Sequence, residues 1–479
     1  MLHGVQTATQ TLHRLTCYSP ERAWDVAPDD PAVVAGLVVN DLARLPWFFK
    51  RYPADLPRLA LPTGLPAAEA PTLEVLAGTA AVAPGALDLA QLARLLFLAA
   101  GVVRTMPRPY GAHPFRAAGS AGGRFPLELY VAVPAGGALP AGVHAYDAEH
   151  HALVTVAAPP TGDAPAVVVT GVPWRTGWRY RERGWRHLYW DAGTMLAQLL
   201  AAAASAGVPA DLYSVFADAA VAGLVGADRR HELPLAVVGL GGAPALSATG
   251  PAAAGALDGN PVEFGLVTAA QRAGEADALG APWPAGAAVS GVAAVSAPLE
   301  DVVRARGSQR RMDPTRGLPE ATLVTSLAVA LRGVDLPHWV VVHDVTGVPP
   351  GLYRWPDLAT PLRAGDMREE LYRVCLEQGL ARDAAFVVIA ATAVAGLDDH
   401  GYRDAQLAAG LVEGRLHLAA YALGASATGM TFLDSEIPSL LAAAVDGLLF
   451  TCVGVPAYRS APGGAPGAPT TVRRVEPRD

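Results

Sequence analysis

The apolar positions of this chain fall into two kinds of run. In residues 186–207 and 403–424, Leu, Ala, Met and Tyr return every three or four positions, which predicts helices with a packed face. Elsewhere the apolar runs are short, continuous and β-branched, as in LELYVAV around Leu129 and HWVVVHDV over residues 338–345. These predict buried strands. The pattern also repeats. The stretch beginning RHLYWDAG at Arg186 aligns with the one beginning RDAQLAAG at Arg403, with Ala192-Gly193 on Ala409-Gly410 and Gly207 on Gly424 at one constant offset. A Phe-x-Asp follows each helix, Phe216/Asp218 and Phe432/Asp434, and then an apolar strand ends in Val-Gly at Gly239 and Gly454. Upstream, PAGVHAY around Gly142 matches PPGLYRW around Gly351. A helix, a loop, a strand and a turn in the same order predict two homologous α+β halves. Residues 1–70 read as an N-terminal extension rich in Pro and Arg. The first half spans 71–242, an Ala/Gly/Pro-rich connection of little periodicity spans 243–297, and the second half spans 298–479.

Composition narrows the class. With 479 residues, 52% hydrophobic and 17% charged, the chain is globular and large enough for more than one core. A net charge of −8 argues against nucleic acid as a partner, because phosphate binding needs a basic face. Arginine carries almost all the positive charge, and Lys50 is the only lysine. Cys17, Cys375 and Cys452 lie far apart and outside any metal-ligand spacing, so neither a disulfide framework nor a metal centre is expected, and a reducing cytoplasm fits. No apolar run is long enough for a membrane span; Arg94 interrupts the run over 89–103. The first residues lack the basic and apolar regions of a signal peptide.

Five segments carry candidate chemistry. In Arg306-Gly-Ser308-Gln-Arg310, two guanidinium groups and a hydroxyl come within reach of one anion, although the same spacing suits a solvated basic turn. From Arg116 to Pro126, the small residues Gly119, Ser120, Ala121 and Gly122 would let backbone approach a flat ligand, or form an ordinary loop. The exit from the second long helix, Thr428-Gly429-Met430-Thr431-Phe432, presents backbone N–H groups or simply caps the helix. Residues 174–186 mix arginines with aromatics, which either stack on one another or line a pocket for an aromatic ligand. Arg473 and Arg474 close the chain as a basic pair, most simply a solvated tail.

Together these segments resemble the nitroreductase superfamily, and within it the SagB-type dehydrogenases that oxidise azolines to azoles on ribosomal peptides. RAAGSAGGRFPLELYVAV, PAGVHAYD and YRERGWRHLYWDAGT are similar to that family's first-half pattern. The resemblance implies two fused nitroreductase-like halves, each a central antiparallel-type sheet flanked by helices, forming an intrachain pseudodimer. It implies FMN as cofactor, with Arg306, Ser308 and Arg310 on the phosphate and ribityl chain. Residues 428–432 would meet flavin N5, Arg473 or Arg474 would close on the phosphate, and Arg116 with residues 119–122 would form the loop donated by the other half. In the family each flavin draws on both subunits. Here the first half has Ala77-Gly-Thr79-Ala-Ala81 where the arginines belong, and an Asp in its N5 loop over residues 209–216. The second half is shortened where the first carries 116–126. The losses are complementary, so one composite FMN site and a dismantled counterpart are expected. Arg179 replaces the catalytic Lys of azoline oxidases and, being always protonated, can orient or stabilise charge but is a poor base. Tyr180, made more acidic by Arg175, Arg179 or Arg181, is the expected proton-transfer residue. The expected activity is an FMN-dependent dehydrogenase or oxidase acting on a peptide-derived azoline or related natural-product intermediate, alongside other enzymes of a biosynthetic cluster. The alternatives are an NAD(P)H-dependent nitro- or quinone-type reductase, and a non-catalytic scaffold subunit of a peptide-modifying complex.

Overall fold

The computed structural model describes residues 6–22, 33–292 and 296–472. The N-terminal stretch carries α1 (Ala8–Leu15) and β1 (Arg58–Ala60). The first half follows with α2 (Thr72–Ala77), α3 (Leu89–Ala100), β2 (Val102–Arg108), β3 (Gly111–Arg116), β4 (Leu127–Val133), β5 (Gly142–Asp147), β6 (Ala152–Ala157) and β7 (Ala166–Gly171). It ends with α4 (Pro173–Tyr180), α5 (Gly184–Ser205), β8 (Ala210–Tyr213), α6 (Asp218–Val225) and β9 (Leu233–Leu240). The connection holds α7 (Gly265–Ala273). The second half runs through α8 (Leu299–Ala305), β10 (Leu318–Pro319), α9 (Glu320–Ala330), β11 (His338–Val342), β12 (Val345–Thr346), β13 (Gly351–Arg354) and β14 (Arg363–Ala364). It continues with α10 (Arg368–Val374), α11 (Gly379–Asp383), β15 (Phe386–Thr392), α12 (Asp399–Ala422), β16 (Ser426–Met430), α13 (Ile437–Leu441), β17 (Asp446–Gly454) and β18 (Thr470–Thr471).

Each half is a wholly antiparallel sheet flanked by helices. The strand orders are β1-β6-β5-β4-β7-β9-β8 and β14-β13-β11-β15-β17-β16. With β1 set aside, the two orders match strand for strand, so the sequence repeat is a repeat of topology. The central strands are buried on both faces, which is why they read as continuous runs of Val, Leu and Ala rather than as alternation.

The halves meet along α5 and α12, and the matched residues of the repeat make the contact. Gly193 and Gly410 sit at the helix crossing. A Cβ on Gly193 would fall 2.5 Å from the Gly410 carbonyl carbon and 2.6 Å from Leu407 O, and one on Gly410 would fall 2.5 Å from Trp190 O. The aligned arginines reach across the interface to the aligned aspartates. Arg186 Nη1 lies 2.7 Å from Asp434 Oδ1, and Arg403 Nη2 lies 3.0 Å from Asp218 Oδ1. Trp185 stacks on Tyr402, its counterpart, at 5.6 Å between ring centroids. All of these groups are buried.

The repeat also begins earlier than the sequence suggests. Three residues past α1, Tyr18 N donates to Asp434 Oδ2 at 2.7 Å; three residues past α7, Ala276 N donates to Asp218 Oδ2 at 2.9 Å. His13 of α1 bonds Tyr402 Oη, and Gln271 of α7 bonds the Trp185 indole. The N-terminal extension and the connection are therefore not featureless. Each carries a helix that caps one of the two crossing ion pairs. The main asymmetry is the β2–β3 hairpin, present only in the first half, onto which β18 pairs in parallel.

Candidate functional site

A cleft of about 610 Å³ opens between the halves. From the first half it takes Gly119, Ser120, Ala121 and Gly122 after β3, with Arg179 and Tyr180 at the end of α4. From the second half it takes Ser308 and Arg310 after α8, with Thr428, Gly429, Met430 and Thr431 of β16 and the residue beyond it.

The glycine-rich turn is built by hydrogen bonds its sequence does not advertise. Ser120 Oγ accepts from Phe125 N at 2.8 Å and donates to Asp191 Oδ2 at 2.6 Å, while Ala121 N donates to Asp191 Oδ1 at 2.9 Å. The Ser120 hydroxyl is thus committed to holding the turn onto α5. Gly122 has φ +60°, and a Cβ there would fall 2.5 Å from Arg179 Cδ and 2.9 Å from Tyr180 Oη. Only glycine combines that backbone with that approach. Glycine neighbours also give the order of groups along the turn. Gly119 lies beside Arg306 and Ser308, Gly122 beside Arg179 and Tyr180, and Gly123 beside His113.

On the opposite wall, β16 is the edge strand of its sheet, so one row of its backbone polar groups is not used by β17. Gly429 leaves room for the Glu413 carboxylate of α12. The Thr431 hydroxyl is buried and has no hydrogen-bond partner among the described residues.

Several expected residues stand elsewhere. Arg306 is buried behind the turn, donating to Ala117 O at 2.5 Å, and a Cβ on Gly119 would lie 3.5 Å from its Nη1. It braces the start of the loop. Arg116 does not face the cleft: its guanidinium donates to Leu127 O at 2.8 Å and Phe48 O at 3.0 Å. Phe432 turns into the core and stacks on Phe450 at 4.6 Å. Arg473 and Arg474 lie outside the described residues. Of the arginine and aromatic run over 174–186, Arg179 alone of its arginines lines the cleft. Arg175 pairs with Glu128 at 2.5 Å, Arg183 and Arg186 with Asp434, and Arg181 donates to Val34 O.

The expected acidity of Tyr180 is corrected. Burial pushes its phenol above the ordinary tyrosine value; Arg179 and Arg310 pull the other way without prevailing. Desolvation outweighs them because the ring is enclosed, stacked on His187 at 4.1 Å. Three titratable residues of the long helices join the site without having been expected there, His187, Asp191 and Glu413, beside Trp190 and Thr194. Burial pushes the Asp191 carboxyl up to about 8; the Ser120 and Ala121 bonds oppose it and the Glu413 charge adds to it. Burial and then Arg183 and Arg186 hold His187 well below the usual histidine range, so it is neutral, and neither ring nitrogen has a partner among the described residues. A polar residue inside an otherwise apolar helix was the available signal for all three.

At the pseudo-symmetric position the connection crosses a cavity of about 780 Å³ whose lining includes Trp283, Asp335 and Asp404 and no arginine or lysine. Trp283 N donates to Leu212 O of β8 at 2.6 Å, Gly280 N to Val215 O at 3.0 Å, and the Trp283 indole to Gly333 O at 2.9 Å. Asp404 and Ala408 occupy the places that His187 and Asp191 hold in the other half.

Residues 83–242 match the Nitroreductase family. No curated protein matches the sequence. Among solved structures, the chain is similar to a candidate nitroreductase of Anabaena variabilis, at 23% identity and a TM-score of 0.70 over 94% of this chain and all of that one. Partial likenesses include a candidate nitroreductase of Ralstonia eutropha (23% identity, TM-score 0.33, 44% of this chain and 97% of that one). Another is the McbBCD microcin synthetase complex of E. coli bound to truncated pro-MccB17 (18% identity, TM-score 0.29, 46% of this chain and 78% of that one). The first likeness spans both halves, so the fold is that of the nitroreductases.

Proposed function

From a nitroreductase fold whose two equivalent inter-half cavities differ in the donors that line them, we propose that this protein is an FMN-dependent oxidoreductase holding one FMN per chain. The observation that carries the reading is the asymmetry of the two equivalent positions: one gathers Ser308, Arg310, β16 and the glycine turn around its cleft, and the other, crossed by the connection at Trp283, is lined by Asp335 and Asp404 and by no cation. The residues present fit the cofactor. Gly119 and Gly122 make a cradle that a Cβ would fill, Arg310 and the Ser308 hydroxyl supply donors for a phosphate or ribityl chain, and the Thr431 hydroxyl is buried without a partner. Bound FMN supplies a ring that accepts or gives hydride.

The chain's own groups then do the positioning and the proton work. Arg310 and Ser308 anchor the phosphate end, with Arg306 keeping the turn in place behind Gly119. Asp191 holds the turn against α5. Tyr180, protonated at neutral pH, donates or holds a proton at its hydroxyl, and Arg179 beside it stabilises negative charge that develops there. On the sequence resemblance, the finer reading is a dehydrogenase acting on a peptide-derived azoline or a related natural-product intermediate. A second reading is the reductive direction with NAD(P)H as donor, in which the protonated Tyr180 phenol gives the proton.

Quenching of FMN fluorescence on titration with protein tests the reading. Tight quenching is expected for the native chain, and both Arg310→Ala and Gly119→Leu, one from each half, should weaken it. Absence of quenching removes the flavoenzyme reading. Anaerobic bleaching by NAD(P)H would select the reductive direction.

A further inference from the structure

At the end of the cleft away from Ser308, a cation is buried with no acid to balance it. Arg124 is 2% exposed and lines the cleft. Its guanidinium lies between two aromatic faces, 4.8 Å from the Phe48 ring centroid and 4.6 Å from that of Trp178. Its hydrogen bonds are two long ones to carbonyls, Arg175 O at 3.3 Å and Pro46 O at 3.4 Å. It forms no ion pair among the described residues. The groups around it do not supply the missing charge. Arg179 is bonded to the neutral Asn40 amide at 3.3 Å, and Arg108 on the rim has no ion pair among the described residues. His113, held at about 4 by burial and then by Arg124 and Arg108, is neutral. Glu128, the nearby carboxylate, is taken by Arg175. Three cations therefore converge on one end of a cleft in a chain whose net charge is −8.

Burying a guanidinium without a counter-charge costs several kcal/mol in general, and such sites persist where a ligand supplies the anion. Nε and Nη2 carry only these long carbonyl bonds and Nη1 carries none among the described residues, which leaves in-plane donors of the kind that carboxylate and phosphate oxygens accept. We propose that Arg124, with Arg179 and Arg108, forms an anion subsite that fixes a carboxylate or phosphate group of the substrate at the Gly122–Gly123 end of the cleft. This rests on the flavoenzyme reading for its place beside the reacting group; the subsite itself rests on Arg124 alone. It makes the substrate an anion, oriented so that its charge points away from Ser308 and its reacting atom faces Tyr180.

Calorimetric titration of the protein, with and without FMN, against benzoate, phenyl phosphate and benzamide tests this. Benzoate or phenyl phosphate should bind, and the neutral amide of the same shape should bind on the order of tenfold or more weakly, as loss of a charge-assisted pair requires. The better of the two anions identifies the group. Arg124→Leu should lose the preference and Arg124→Lys should keep part of it. If Arg124→Leu does not fold, Arg108→Ala, an exposed change, should weaken the anions a few-fold. Equal binding of benzoate and benzamide overturns the proposal, as does an unchanged preference in the folded Leu variant or, in its place, in Arg108→Ala. Anion binding that FMN abolishes also overturns it, because the arginines would then serve the cofactor. Failure of the protein to take up FMN would fall on the flavin reading instead, since the titration without FMN still reads the subsite.

Discussion

Replacing Gly193 by alanine should separate the two halves of this molecule more than its size suggests. In a helix interior, glycine to alanine ordinarily gains about 1 kcal/mol of propensity. At Gly193 the new methyl meets the Leu411 amide nitrogen, the Gly410 carbonyl carbon at 2.5 Å and Leu407 O at 2.6 Å. All three are backbone atoms of α12, held by that helix's own hydrogen bonds, so no side chain can turn aside. Overpacking against rigid neighbours costs about 1–3 kcal/mol, and more where backbone must move. The net expectation is a loss of about 1–2 kcal/mol or more. Gly223 provides the control: it is exposed in α6, and a Cβ there meets nothing within 4 Å. Gly223→Ala should therefore gain about 1 kcal/mol, placing the two variants about 2–3 kcal/mol apart in urea unfolding. Because Asp191 and Thr194 flank Gly193 on α5 and line the cleft, Gly193→Ala should also weaken FMN binding while Gly223→Ala leaves it unchanged. Equal stability of the two variants would refute the account of the helix crossing.

Other outcomes follow from the buried charges and the cleft. Burial opposes ionisation of Asp434, but Arg183 and Arg186 hold it down to about 2. Its contribution is present above the unfolded value near 4 and is lost as pH falls toward 2, so the unfolding free energy should drop by about 2–3 kcal/mol over that window. Asp434→Asn should abolish the drop and cost about 3–5 kcal/mol at neutral pH by leaving two arginines unpaired. Asp191 has the opposite sign. Raised to about 8, it favours the folded chain fully below pH 4 and loses that as pH rises to 8, so Asp191→Asn should be no more stable than the native chain near pH 4 and more stable than it near pH 9. Tyr180→Phe should retain FMN and slow turnover by about 100- to 10,000-fold; an unaffected rate would remove Tyr180 from proton transfer.

How much of this was legible depended on whether a residue had a partner in the repeat. Arg186 and Arg403, Gly193 and Gly410, Asp218 and Asp434 could be aligned by eye, and each proves to touch the other half at the pseudo-twofold interface. The glycine turn and Ser308 and Arg310 were legible as motifs, and the cleft gathers them. Arg116, on β3, and Phe432, two residues past β16, belong to the same motifs but face inward, and sequence adjacency to a site residue does not fix which way a side chain points. The acidity of Tyr180 was misjudged since charges along the chain are visible and desolvation is not. Residues 40–51 show no periodicity. Their course past the cleft, with Asn40 and Leu42 in its lining and Phe48 against Arg124, follows only from tertiary contacts such as Trp178 Nε1 to Asp41 O.

The central claim is that one site is built across both halves while its twin lacks the donors that would hold a phosphate. The most direct measurement is FMN released per chain from protein saturated with the cofactor and freed of excess. One FMN per chain is expected, lost both in Arg306→Ala and in Ser120→Leu. Two per chain would contradict the account, because the cavity at Trp283, which no arginine or lysine lines, would then hold the cofactor as well.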